Sequence, residues 1–171
     1  SYLYQILIFL KKKELISFGK TNSIFEIGEQ NWYGDVSFQD LMKTIDNHSD
    51  SKNKEILHRK LNEIITLTEI GKDPKTFAFD VAKLFYRAIF DYKEYLALDL
   101  QGTEHSICFD LNNEYKNVKK YDVVTNIGTS EHIFNQLAVF KTIHNSVTAG
   151  GLIIHQLPGQ GYYDHGFYNY Q

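Results

Sequence analysis

A strand that ends on a glycine turn and resumes, one helix later, as a second strand constrains this chain more than any other feature. Tyr121 to Thr125 is a short apolar, β-branched run of the kind buried in parallel sheets. It stops at Asn126, and Gly128-Thr129-Ser130 reads as a tight polar turn. The segment beyond sets Ile133, Leu137, Phe140, His144 and Val147 at helical spacing, with Ala149-Gly150-Gly151 closing it. Leu152 to His155 is then the next strand. Such a unit belongs to an open α/β sheet, whose ligands sit just beyond the carboxyl ends of the strands. Asn126, Thr129, Glu131, His132, His155 and Gln156 all fall at that edge.

The rest of the chain extends the same alternation. Residues 1–18 read as a helix packed through Leu3, Leu7, Leu10 and Leu15, ending near Gly19. A first strand covers Ser23 to Ile27 and runs into Gly28-Glu29-Gln30; Asn31 to Gly34 is turn-like. Residues 37–47 and 52–70 pattern as two polar helices, the second with an apolar face of Leu57, Leu61, Ile64 and Ile65. Asp73-Pro74 opens a further helix with a wide apolar face from Phe77 to Tyr92. Strands follow at Tyr95 to Leu98, ending in Asp99, and at Ser106 to Phe109, ending in Asp110. The expected architecture is a single α/β domain over 1–171, a Rossmann-like three-layer sandwich with a mainly parallel sheet. Strands are expected near 23–28, 95–99, 106–109, 121–126 and 151–156. A helical insertion over about 35–72 is either a solvated hairpin or a lid beside the ligand edge.

Composition narrows the function. Of 171 residues 43% are apolar, enough for a packed core. Eighteen basic against 21 acidic side chains leave a net charge of −3, so neither nucleic acid nor an anionic membrane is the expected partner. One cysteine, Cys108, excludes an internal disulfide and fits a reducing, cytoplasmic setting. The apolar run in SYLYQILIFLKKK is about nine residues, against roughly 20 needed to span a bilayer.

Read together, FEIGEQ, ALDL, CFDL, YDVVTNIGTSEH and GGLIIHQLP resemble, across roughly residues 20–171, the class I S-adenosylmethionine-dependent methyltransferases. The resemblance implies that family's topology, lacking its last strands, with the strand at 121–126 beside that at 23–28. It implies S-adenosylmethionine as cofactor and a small-molecule methyl acceptor. Cofactor contacts fall to Glu26, Gly28 and Gln30 after strand one, and to Asp99, on the ribose, with Leu100 after strand two. Asp110 and Leu111 fall at the adenine, and Asn126, Ile127 and Gly128 beside the sulfonium. Gln30 stands where the family commonly has a second glycine. That departure keeps an alternative open, a non-catalytic Rossmann-like module that has lost its cofactor and serves as an interaction or assembly unit.

Among the histidines, His132, His155 and His165 are candidates for a general base, while His144 reads as a packed core residue. They show no tight ligand spacing, no HExxH and no cysteine partner, so no metal site is expected. Glu131 reads as a carboxylate complementing a helix N-terminus. The aromatic tail, GYYDHGFYNYQ, offers Tyr163, His165 and Tyr168 as a substrate wall. The same tail, or an exposed sheet edge, would serve a homo-oligomer contact.

Overall fold

The computed structural model describes residues 2–14, 23–32, 36–116, 119–159, 161 and 164–169. Leu15, Gly19, Gly34 and Tyr163 lie outside them. The chain divides into two compact units, one formed by residues 1–21 and 30–92, the other by 22–29 and 93–171.

The first unit is helical. Helix α1 (Tyr2–Lys12) buries Leu7. Helices α2 (Phe38–His48) and α3 (Ser51–Glu69) start where Ser37 and Asp50 accept from the backbone N–H of Asp40 and Asn53. Both fall within the expected insertion. The helix α4 (Ala78–Phe90) follows a 3-10 turn at Pro74–Phe77, which Asp73 caps by accepting from Lys75 N–H. The unit closes on apolar stripes. Leu41 and Ile45, Leu57 and Leu61, and Val81, Ala88 and Ile89 are all at most 1% exposed. Tyr4, Trp32 and Phe85 form an aromatic group, with Tyr4 and Phe85 centroids 5.1 Å apart. The Lys11 ammonium donates to the carbonyls of Ala88 and Ile89, whose last-turn position leaves them without helical partners. Burial lowers its pKa to about 8.

The second unit holds the whole sheet: β1 (Ser23–Ile27), β2 (Glu94–Asp99), β3 (Ser106–Cys108), β4 (Tyr121–Ile127) and β5 (Val147–Gln156). All neighbours are parallel, in the order β3-β2-β1-β4-β5. The fold is therefore α/β and Rossmann-like, with β4 beside β1 as the resemblance implied. Phe25 and Ile27 of β1 join Leu98, Tyr121, Val124 and, from the helix α5 (Gln136–Ser146), Val139 and Ile143 in one core. Phe25 stacks on Tyr121 at 4.8 Å.

Three elements depart from the sequence pattern. Helix α1, expected over residues 1–18, ends at Lys12 and gives way to a turn at Lys13 and Glu14. Helix α5 is turned relative to the expected stripe: Ala138, Val139, Thr142, Ile143 and Ser146 are buried, while Leu137 is 66% exposed and His144 is exposed. Ala149-Gly150-Gly151 closes no helix. It lies inside β5, where pairing jumps from Tyr121↔Val147 to Val123↔Leu152, a bulge in which Gly150 takes φ +77°.

The link from β2 to β3 is six residues, 100–105, where parallel neighbours ordinarily need a dozen or more. It suffices because β3 starts level with Ala97, two residues back along β2, so the chain retreats only about 7 Å. Glu29 fixes this loop. Its carboxylate, 6% exposed, accepts from Thr103 N–H at 2.6 Å and from Thr103 Oγ1 at 2.7 Å. Among the described residues no helix is long and apolar enough to cross a membrane.

Candidate functional site at the carboxyl edge of the sheet

The strand order reverses between β1 and β4, and in open parallel sheets that reversal leaves a crevice at the carboxyl ends. The chain lines this position with backbone at close range. Gly28 leaves β1 at φ +78° and donates its N–H to Leu98 carbonyl at 2.8 Å. Gly128 leaves β4 at φ +64° and donates to Gln156 carbonyl at 2.9 Å. A Cβ on Gly28 would stand 2.1 Å from Thr129 Oγ1, so the two turns touch and only glycine fits the first.

Asp99, ending β2, reaches back to this turn. Its Oδ2 accepts from Glu29 N–H at 3.0 Å and its Oδ1 from Gln101 N–H at 2.8 Å. Each oxygen keeps a further acceptor direction. Leu100 beside it is 60% exposed. Asp110, exposed after β3, accepts from the backbone and side-chain amides of Asn112, both at 2.9 Å. Those hydrogen bonds, the backbone one foremost, hold its carboxyl below the usual range. Leu111 is 4% exposed and its side chain belongs to the core. Glu26 is fully buried on the sheet face opposite Phe25 and Ile27, accepting from Thr125 Oγ1 at 3.0 Å and from the Tyr95 hydroxyl. Gln30 begins the second segment of the first unit and is partly buried.

Asn126 organises the turn after β4. Its Oδ1 accepts from Ser130 N–H at 3.2 Å, which fixes the amide orientation, and its Nδ2 donates to Ser130 Oγ at 2.9 Å. The same Nδ2 lies 3.2 Å from His155 Nδ1, which must accept. His155 is thus a neutral imidazole with its proton on Nε2, and burial lowers its pKa. Because the unfolded chain takes up this proton more readily, stability falls as pH drops through about 6.5. His48, also lowered by burial, adds to the same trend. Denaturation curves at pH 7.5 and 5.5 are expected to converge partly in His155→Gln; an unchanged pH dependence would rule this origin out.

Glu131 stands apart from α5. It sits in a separate 3-10 turn, Ser130–His132, and α5 begins only at Gln136, so it does not serve that helix's N-terminus. Its side chain is fully buried, with His165 Nε2 3.4 Å and His132 Nε2 3.9 Å from Oε1. The tail reaches this turn through Phe167 N–H and Tyr168 N–H, both donating to Glu131 carbonyl, at 2.7 and 3.3 Å. Tyr168 Oη donates to Phe134 carbonyl at 2.9 Å, so its hydroxyl is tied to the loop before α5.

The structure therefore gathers Gly28, Asp99, Asn126, Gly128 and His155 along the strand ends, and brings His132 and His165 together on Glu131. Sequence reasoning missed Glu29 and the burial of Glu131. Thr103 and His165, which face them, lie far along the chain, and no local spacing marks them. Fold and site together define a Rossmann-like α/β protein with polar groups gathered at the switch point of its parallel sheet. No family model matches the chain, and no curated protein or solved structure matches it either.

Proposed function

We propose that the chain binds S-adenosylmethionine at the carboxyl ends of β1, β2 and β4 and transfers its methyl group to a small-molecule acceptor. The observation that carries this reading is the pairing of a glycine turn at the β1–β4 switch point with an acidic residue ending β2, joined by the 3.0 Å hydrogen bond from Glu29 N–H to Asp99. Gly28 brings its turn against Thr129 at the strand ends, and Asp99 beside it offers charged acceptors to ribose hydroxyls. Asn126 to Gly128 would border the sulfonium. That donor is already activated, so alignment of the acceptor supplies much of the rate and a catalytic base is not required.

A second reading, a Rossmann-like module that has lost its cofactor, draws on a different observation: both Asp99 oxygens already accept backbone N–H groups. Calorimetric titration of the chain with S-adenosylhomocysteine separates the two. Saturable binding is expected under the first reading, and none at millimolar ligand under the second. Asp110→Ala is expected to weaken binding only a few-fold, because a single exposed adenine contact is partly replaced by water. A loss larger than that of Asp99→Ala in the same titration would reverse the assignment of the two carboxylates.

A further inference from the structure

We infer that Glu131, His132 and His165 form a site for a divalent transition-metal cation, with Zn²⁺ as its natural probe. The inference is independent of methyl transfer. It starts from a carboxylate that the fold buries completely and leaves, at both oxygens, without a hydrogen-bond partner among the described residues. A buried carboxylate in that condition costs several kcal/mol unless positive charge meets it.

The groups facing it are imidazole nitrogens. The ligand atoms of Glu131, His132 and His165 all lie within 4.8 Å of one another, with Oε1 3.4 Å from His165 Nε2 and 3.9 Å from His132 Nε2. Neither approach has hydrogen-bond geometry. Two donors bonded at about 2.0–2.1 Å to a tetrahedral ion stand about 3.4 Å apart, so the shorter separation already fits and the longer needs about half an ångström. Three donor atoms this close together, one set on a buried carboxylate that no hydrogen bond satisfies, are a group that a shared cation can draw together.

The backbone holds the ligands there. Two N–H groups of the tail donate to Glu131 carbonyl, and a Cβ on Gly166 would stand 2.8 Å from that oxygen. Glycine after His165 is thus what lets the tail approach. Phe134 and Phe167 pack edge to face at 6.3 Å beside it. Glu131 is buried while His132 and His165 are about half exposed, 49% and 47%, so a cation can enter from solvent. Two neutral imidazoles and one carboxylate suit Zn²⁺, Fe²⁺ or Ni²⁺ and not Mg²⁺ or Ca²⁺, which prefer oxygen donors throughout. Three protein ligands leave a position for water or a substrate oxygen. Ligation uses both Nε2 lone pairs, so a metal role and a general-base role for these histidines exclude each other.

The test is calorimetric titration of the chelator-treated chain with ZnCl₂, with Co²⁺ absorption as a report on coordination. The expected result is saturable Zn²⁺ binding with a Kd below about 100 μM, weakened at least about tenfold by His165→Ala and by Glu131→Gln. Co²⁺ is expected to give d–d bands that either substitution abolishes. Circular dichroism checks that the variants fold; His165→Ala truncates a half-exposed side chain and guards against failure of Glu131→Gln. Weaker Zn²⁺ binding to the parent chain, or binding that survives both substitutions, would overturn the inference. Titration with S-adenosylhomocysteine leaves it untouched, so the two proposals stand or fall separately.

Discussion

Gly28→Ala is expected to destabilise the chain by about 2–4 kcal/mol, the sum of a backbone and a contact cost. The backbone cost comes from φ +78°, where a side chain loses roughly 1–2 kcal/mol. The contact cost comes from Thr129. Its Oγ1 would lie 2.1 Å from the new methyl and its Cγ2 2.8 Å away, with Cβ itself at 3.0 Å. Rotating χ1 of Thr129 therefore gives no escape, and the two turns must separate. Gly71 provides the control, since it takes φ +95° with nothing within 4 Å of the position of a Cβ. Gly71→Ala should lose only the backbone share, about 1 kcal/mol. Urea denaturation of both variants isolates the contact. Equal losses would mean that the close approach of the two turns carries no energy.

Asp99→Ala is expected to weaken S-adenosylmethionine binding at least about tenfold, since a hydrogen bond to a charged group is worth roughly 1.5–3 kcal/mol and about 1.4 kcal/mol is one decade. The same substitution removes the acceptor of Glu29 N–H and of Gln101 N–H, so stability should fall as well. Asp99→Asn separates the two effects, because its amide oxygen still accepts one of those N–H groups. It is expected to recover much of the stability and little of the affinity. Binding that is tight and unaffected by Asp99→Ala would put the ligand elsewhere on the molecule.

The strands were legible because Ser23–Ile27 and Tyr121–Ile127 are short runs rich in apolar and β-branched residues, as strands buried on both sheet faces tend to be. The phase of α5 was not. The expected stripe put Leu137 and His144 on the buried face, whereas the helix buries Ala138, Thr142 and Ser146 together with Val139 and Ile143. Small residues permit a close approach and carry little hydrophobic signal. The glycine pair at 150–151 has the chemistry of both a helix stop and a bulge, and only the register of β5 on β4 decides between them. Gly28 and Asp99 could be named in advance because strand ends are local features. The cluster on Glu131 could not, because it is made by a tail returning to a turn that is remote in sequence.

The division of the second unit by residues 30–92 also sets an order of assembly. The central strand β1 is made before all its neighbours, and Thr125, which bonds Glu26, follows 99 residues later. At about 5–20 residues per second, β1 waits roughly 3–13 s for β2 to be synthesised. By the end of that interval the helical unit has its full sequence, while the SIFEI run still has neither neighbouring strand to pair with. Pairing β2 with β3 needs only the six-residue loop, whereas seating β1 requires closure of a far longer one. Contacts of such separation slow folding. The most completely buried strand of the sheet is thus the first to be made and among the last to be closed in.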